Sequence, residues 1–297
     1  MLGMLAAALI WGANYTALKL AMVYITPMAY NAVRFLLAAA VNLAIARSRE
    51  RDLSLPQAEW KRLLLLSLVG IVLNQVAFIQ GAARTRASNT ALIQATQPLI
   101  MALLVWLLHT GERVRPRTWL GMGAAFCGIM LIVSAGGGTA AASSLLGDLL
   151  VGVSIVIWSL FQVLVRPLLQ RHSAVKTMAW VFAFAAPWLL LLGLPEIITM
   201  DWRAVPLQAW GALIYASVGA TAVAQLLWQT GVERLGIART AVMHYVIPVA
   251  SIVVAWMILG ERMQLQHSVG AICVLAGIIL ARYRASVPTE ASERSAQ

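Results

Sequence analysis

The sequence predicts an all-α integral membrane protein with ten transmembrane helices arranged as two inverted five-helix repeats. Of its 297 residues, 61% are hydrophobic and 11% are charged, whereas about a quarter of the residues in a soluble domain are charged. The hydrophobic residues form runs close to the roughly 20 residues that a helix needs to cross a bilayer. One stretch of the first half also recurs in the second half. Together, these three observations predict the fold class.

Apolar runs separated by short polar loops give the helix limits. The predicted helices are residues 2–22, 28–46, 62–83, 88–108, 117–135, 145–166, 174–194, 207–230, 238–259 and 266–283. Pro27, Pro116 and Pro206 lie at predicted helix starts, where a missing backbone N–H costs little. Pro167 and Pro195 are expected just after helix ends.

The recurring stretch is Ala87–Arg113 in the first half and Ile237–Arg262 in the second. Four residues keep their order and spacing in both copies, namely Thr90 and Thr240, Ala91 and Ala241, Pro98 and Pro248, and Trp106 and Trp256. Because each half holds an odd number of helices, the second half should enter the membrane upside down, as in many secondary transporters. The predicted units are a repeat over 1–134, a Gly/Ala/Ser linker over 135–147, a repeat over 148–284 and a disordered cytoplasmic tail over 285–297.

Pro98 and Pro248 fall near the middle of their predicted helices. A proline inside a helix cannot donate to the carbonyl four residues earlier, and those carbonyls belong to Gln94 and His244. Freed backbone next to polar side chains, at matching depth in two inverted halves, is typical of a substrate site at the membrane midplane. We therefore expect both prolines to act as kinks or gates.

The charges predict the topology. With the N-terminus inside, the inner loops and the tail hold sixteen Lys and Arg residues and the outer loops hold four, which places both termini in the cytoplasm. The net charge of +11 is spread over short loops, so it indicates contact with anionic lipid and no nucleic-acid partner. The expected location is a bacterial cell inner membrane, with the protein working as a monomer or a weak homodimer.

Polar and aromatic side chains share one face on several predicted helices. The candidate substrate-binding residues are Trp11, Asn14, Tyr15, Asn74, Gln75, Phe78, Gln94, Gln97, Trp158, Phe161, Gln162, Gln225, Trp228, Gln229, His244 and Tyr245. Polar groups are costly against lipid, so these should face the bundle interior or a wet cavity. The alternative is that the amides only join helices to one another, at about 0.6 kcal/mol per hydrogen bond.

Charged and metal-binding groups are scarce inside the predicted helices. No Asp or Glu falls in the middle of one, which disfavours a proton-driven organic-cation exporter. Arg34 lies within helix 2 and is expected to pair with backbone carbonyls or a helix end rather than with substrate. Cys127 and Cys273 lack the spacing of a metal site or disulfide, so we expect no metal and no cofactor.

The chain resembles the ten-helix EamA-type permeases of the drug/metabolite transporter superfamily. The resemblance depends on LIWGANY at Leu9–Tyr15, on the two TxxxxxxxP stretches at Thr90–Pro98 and Thr240–Pro248, and on the GER motifs at Gly111–Arg113 and Gly260–Arg262. It spans Leu2 to Arg284 and implies a central cavity lined by helices 1, 3, 4, 6, 8 and 9. The aromatic candidate residues are similar to those of aromatic amino-acid and metabolite exporters.

The sequence thus predicts a permease that exports amino acids, including neutral or aromatic ones, or related small metabolites by alternating access. A multidrug exporter of organic cations is the alternative. A remote alternative is an intramembrane enzyme, which would need a nucleophile, a base and a metal or carboxylate set. His244 has no carboxylate partner at that depth, so the chain is not expected to be an enzyme.

Overall fold

The computed structural model describes residues 2–84, 93–108, 115–135, 145–259 and 265–282. Within these ranges the secondary structure is helical and contains no β-strand. Residues 136–144 of the predicted linker and the predicted tail over 285–297 lie outside the described residues. The last part of the predicted linker is helical, because a helix begins at Leu145.

The helices are numbered in chain order. Their bounds are Leu2–Met22 (α1), Pro27–Arg49 (α2), Gln57–Ala82 (α3), Gln97–Leu107 (α4), Pro116–Ala135 (α5), Leu145–Arg171 (α6), Ala174–Thr199 (α7), Leu207–Leu235 (α8), the consecutive segments Ile237–Ala241, Val242–Tyr245 and Val246–Leu259 (α9), and Leu265–Arg282 (α10). Among the described residues, six of these helices (α1, α2, α3, α6, α7 and α8) are long and apolar enough to cross a membrane. Large apolar side chains such as Leu191, Ile272 and Ile279 remain exposed on the outer surface, as expected for helices that face lipid.

Several helix ends differ from the sequence prediction: α3 begins at Gln57 and not at residue 62, α8 ends at Leu235 and not at residue 230, and α6 and α7 extend beyond their predicted ends. Pro167 and Pro195 were expected after helix ends, but α6 continues to Arg171 and α7 to Thr199. A proline removes only one backbone donor from a helix, the one for the carbonyl four residues earlier, so the remaining hydrogen bonds let both helices continue past it.

Helices α3 and α8 each contain a π-helical segment, Leu68–Leu73 and Tyr215–Val223 respectively. The Thr221 hydroxyl donates to the Ala216 carbonyl at 2.8 Å, a spacing of five residues that matches the wider π turn. Such segments change the direction of the side chains that follow and are frequent at functional sites. The hydrophobic period of the sequence gave no sign of them.

The helices pack in pairs. Helix α1 contacts α8 and α9, α6 contacts α3 and α4, α2 packs along α7, and α5 packs along α10. The α5–α10 contact is very close, since a Cβ atom added to Gly128 would lie 2.6 Å from the Gly270 carbonyl oxygen. Small residues allow this approach of two membrane helices.

Acidic side chains cap two helix starts from neighbouring elements. The Glu196 carboxylate of α7 accepts hydrogen bonds from the backbone N–H groups of Met28 and Ala29, at 2.8 and 3.1 Å. Glu233 of α8 accepts one from the Ala174 N–H at 3.3 Å. The first N–H groups of a helix have no partner within it, so these carboxylates both satisfy the helix starts and tie α2 to α7 and α7 to α8.

Candidate functional site

A cavity of about 180 Å³ lies between the helices of the two halves. In the described part of the chain its walls come from α1, α2, α3, α6, α7, α8 and α9, from α4, and from Gln94 shortly before α4. Ten of the candidate residues lie in these walls, namely Trp11, Asn14, Asn74, Gln75, Phe78, Gln94, Gln97, Trp158, Gln225 and His244. The structure thus brings amides and aromatic rings from both halves to one place.

Five other candidates pack between helices and are not part of the cavity walls: Phe161, Gln162, Trp228, Gln229 and Tyr245. The Gln229 amide nitrogen donates to the Gln162 amide oxygen at 2.9 Å, which joins α8 to α6. For Tyr15 the structure describes the backbone in α1 only, and its side chain lies outside the described part.

Pro98 and Pro248, which the sequence places near the middle of two helices, lie next to interruptions of those helices. A turn at Thr96 separates helical residues 93–95 from α4, and Pro98 lies in the first turn of α4. In α9 a 3₁₀ turn over Val242–Tyr245 precedes the α-helical Val246–Leu259, which contains Pro248 near its start. His244 lies in this 3₁₀ turn, so the irregular backbone brings it to the cavity wall.

Aromatic rings surround His244. The Trp228 ring centroid lies 4.1 Å from that of His244. The Trp11 ring is nearly parallel to the imidazole, with a centroid distance of 5.8 Å and an angle of 13°. Trp228 therefore supports His244 from outside the cavity, while Trp11 and His244 present ring surface to it.

The π segment of α8 holds Trp11 in place. The Trp11 indole N–H donates to the Ala220 carbonyl at 2.8 Å, and both residues line the cavity. Tryptophan rings buried in a protein usually find such a partner for their N–H.

The π segment of α3 lies directly against α6. An added Cβ on Gly70 in this segment would lie 2.3 Å from a ring carbon of Phe161.

A chain of side-chain hydrogen bonds crosses the cavity wall from α2 to α6. Arg34 donates to the Gln75 amide oxygen at 2.6 Å, Gln75 donates to the Asn74 amide oxygen at 3.2 Å, and Asn74 donates to the Ser154 carbonyl at 2.6 Å. The expectation that Arg34 pairs with backbone carbonyls or a helix end was therefore wrong. Its partners are amide side chains, because Asn31 shares its face of α2 at the i, i+3 spacing and Gln75 lies across the helix contact.

Ten wall residues were not among the candidates, namely Leu18, Arg34, Phe35, Ile71, Ser154, Ile155, Phe182, Ala220, Thr221 and Ile247. The pair Asn31–Arg34 inside an apolar helix was the one available signal for α2, since polar residues at that spacing share a helix face. Within the described residues, no group of three or more His, Cys, Asp or Glu side chains could hold a metal ion.

The comparison with known families decides the class of protein. Residues 1–134 and 145–283 match the model of the EamA-like transporter family. The chain belongs to the EamA-like transporter family. It is therefore a multi-pass membrane transporter, which agrees with the hydrophobic helices and the resemblance found in the sequence.

Individual relatives of this EamA-like transporter are distant but match over most of their length. An uncharacterized transporter, YetK, of Bacillus subtilis is 25% identical over 278 residues, covering 93% of this chain and 84% of that protein. A probable terminal-alkyne amino-acid exporter of Streptantibioticus cattleyicolor is 26% identical over 246 residues, covering 83% and 78%. A crystal structure at 21% identity has a TM-score of 0.81 and covers 94% of this chain and 96% of its own, so the fold is shared.

Proposed function

We propose that this protein is a secondary transporter of the bacterial inner membrane that exports amino acids, including neutral and aromatic ones, or related small metabolites by alternating access. The observation that carries the proposal is the cavity between the two halves, whose walls combine amide side chains with aromatic rings. Amides bind polar groups through dipoles, and aromatic rings stack on apolar or aromatic parts of a solute.

The packing pattern supports the inverted repeat on which alternating access depends. The repeat relates α1 to α6, α3 to α8 and α4 to α9. If the halves are exchanged, the α1–α9 contact becomes the α6–α4 contact and the α1–α8 contact becomes the α6–α3 contact. All four contacts are present. The α2–α7 and α5–α10 contacts are unchanged by this exchange. The π segments occur in α3 and α8, which the exchange also relates, and the family match falls in two ranges, one in each half.

In this proposal all ten predicted helices cross the membrane and both termini face the cytoplasm. The interruptions beside Pro98 and Pro248 are then the places where α4 and α9 change shape as the cavity opens to one side or the other. Helices that are broken at the midplane are typical of transporters in which one repeat moves against the other.

The size and charge of the cavity favour a small metabolite over the alternative of an organic-cation drug. Sites for drug-sized ligands measure roughly 300–1,000 Å³, whereas this cavity measures about 180 Å³. In the described part of the chain no carboxylate lines it, and Arg34 does. A related protein is named a probable terminal-alkyne amino-acid exporter, which supports an amino-acid substrate for this chain.

The test is exchange of labelled amino acids in proteoliposomes that contain the purified protein. The panel should hold aromatic and neutral amino acids together with an organic cation such as tetraphenylphosphonium. We expect saturable exchange of at least one amino acid. Exchange of the cation alone would favour the multidrug alternative, and no saturable exchange with any member of the panel would contradict the proposal.

A matched pair of variants links the exchange to the cavity. Gln225 lies in the cavity wall, whereas the Gln229–Gln162 pair lies outside it. Gln225→Leu should lower exchange in folded protein. Gln229→Leu should mainly lower the unfolding temperature, because it breaks a buried hydrogen bond between helices.

A further inference from the structure

Arg34 is a cation inside a membrane helix with no acidic partner among the described residues. Its side chain lines the cavity and the residue is only 7% exposed. A charged group at membrane depth is costly unless it is paired, and such residues mark substrate or ion pathways. None of the acidic residues in the described part of the chain lines the cavity. Glu196, for example, binds the start of α2.

The described groups in contact with Arg34 are neutral. Its Nη2 donates to the amide oxygens of Asn31 and Gln75, at 2.7 and 2.6 Å. The rings of Tyr30 and Phe35 lie near its Cζ atom, with centroids at 5.5 and 4.9 Å. Oxygen dipoles and ring faces stabilise a cation only in part, so these neighbours orient the guanidinium without neutralising it.

The hydrogen-bond chain fixes the direction of the guanidinium. Gln75 directs its oxygen to Arg34 because its nitrogen donates to Asn74, and Asn74 in turn donates to the Ser154 carbonyl. The Nε atom of Arg34 is buried and has no hydrogen-bond partner in the part of the chain that the structure describes. The guanidinium is thus anchored through Nη2, and its other N–H groups remain as donors for an anion in the cavity that Arg34 lines.

We propose that Arg34 binds the carboxylate of the transported solute, so that the substrate class of the cavity is carboxylate-bearing metabolites. This inference rests on the proposed function, because it assumes that the cavity is the transport site. Both Nη2 hydrogens are donated to Asn31 and Gln75, so the carboxylate is bound by the remaining N–H groups and by the charge of the guanidinium, and such charge-assisted hydrogen bonds are stronger than neutral ones. The anion pairs with the buried charge, and Trp11 and Trp158 in the same walls provide apolar surface for the rest of the solute.

The test compares matched solutes that differ in the carboxylate alone. L-phenylalanine and L-leucine are measured against L-phenylalaninamide and L-leucinamide, by binding in detergent and by exchange in proteoliposomes. Wild type should prefer each acid over its amide. Arg34→Gln should weaken binding of the acid by roughly 10- to 100-fold, the range expected for hydrogen bonds between charged groups, and should leave binding of the amide within a few-fold of wild type.

Two further variants complete the design. Gln75→Glu places a carboxylate against Arg34, so it should keep the protein folded and also weaken binding of the acid, because the internal carboxylate competes with the substrate. Arg203→Gln removes an exposed arginine of the segment Trp202–Ala204 that does not line the cavity, and should behave as wild type.

The outcomes separate this inference from the proposed function. If wild type exchanges the acids but Arg34→Gln or Gln75→Glu binds them as tightly as wild type does, the role of Arg34 is wrong and the transport function stands. If Arg34→Gln does not fold, Gln75→Glu alone decides. If wild type binds neither acids nor amides, both proposals fail.

Discussion

The amide nitrogen of Gln97 lies 3.3 Å from Nε2 of His244, and this contact joins α4 of the first half to α9 of the second. An amide nitrogen can only donate, so with this orientation Nε2 of the imidazole is the acceptor. Both residues lie beside helix interruptions and both line the cavity. Any movement of one half against the other has to keep, shift or break this contact.

The first prediction concerns this contact. Gln97→Leu removes the donor and leaves a ring nitrogen of His244 unpaired at the cavity wall. A single hydrogen bond contributes about 0.5–1.5 kcal/mol, so we expect the exchange rate in proteoliposomes to fall by up to about tenfold. Gln229→Leu is the control for loss of a buried amide outside the cavity. Equal exchange rates for Gln97→Leu and wild type would argue against a role of the contact in transport.

The sequence predicted the helical class and half of the residues that line the cavity, because polar groups in an apolar helix have few other places to go. Trp11, Asn74 and His244 lie on its walls as expected from this argument. The same argument included Trp228 and Gln162, which pack between helices instead. Helical spacing shows which residues share a face, but that face can either line a cavity or pack against a neighbouring helix.

Two features could not be predicted from the pattern. The π segment Tyr215–Val223 rotates the following part of α8, so that Gln225 reaches the cavity while Trp228 lies behind His244. One extra residue in a turn shifts every later side chain by about 100°, as follows from 3.6 residues per helical turn. Arg34 has no counterpart in the second half, where the repeat places Val181, so the repeat gave no reason to assign it to the site.

The second prediction concerns the contact between α3 and α6. In Gly70→Ala the new Cβ lies 2.3–2.8 Å from three atoms of Phe161, one of which is the Cβ of Phe161. The backbone of α6 therefore has to move. Overpacking of this kind costs typically about 1–3 kcal/mol. We expect a lower unfolding temperature in detergent and weaker exchange, because α6 carries Trp158 and Ser154 to the cavity.

Gly152→Ala is the matched control for Gly70→Ala. An added Cβ at Gly152 of α6 has no atom within 4 Å, and alanine favours a helix over glycine by up to about 1 kcal/mol. This variant should be as stable as wild type or slightly more so. If both variants had the same unfolding temperature, the close approach at Gly70 would not limit stability.

The third prediction concerns the start of α2. Glu196→Leu removes the acceptor for the N–H groups of Met28 and Ala29, and loss of a helix cap costs about 0.5–2 kcal/mol. Glu196→Gln keeps one oxygen acceptor and loses the charge that favours a helix N-terminus. The unfolding temperatures should therefore fall in the order wild type, Glu196→Gln, Glu196→Leu. The reverse order for the two variants would mean that the carboxylate destabilises this end of the bundle.

The fourth prediction concerns Trp11 and the π segment of α8. Trp11→Phe keeps an aromatic ring beside His244 but removes the indole N–H that donates to the Ala220 carbonyl. A carbonyl left without this donor at the cavity wall can bind water or solute instead, and the ring loses the bond that fixes its direction. We expect weaker substrate binding and slower exchange, with a smaller effect on the unfolding temperature.

Trp188→Phe in α7 is the control, because Trp188 is 44% exposed on the outer surface and is not part of the cavity walls. Both variants remove one indole, so a general effect of tryptophan loss in the membrane would lower exchange equally in both. The proposed role of Trp11 requires a difference between them: Trp188→Phe should exchange amino acids at the wild-type rate, whereas Trp11→Phe should not. Binding measured by quenching of intrinsic fluorescence and exchange measured in proteoliposomes give two independent readouts of that difference.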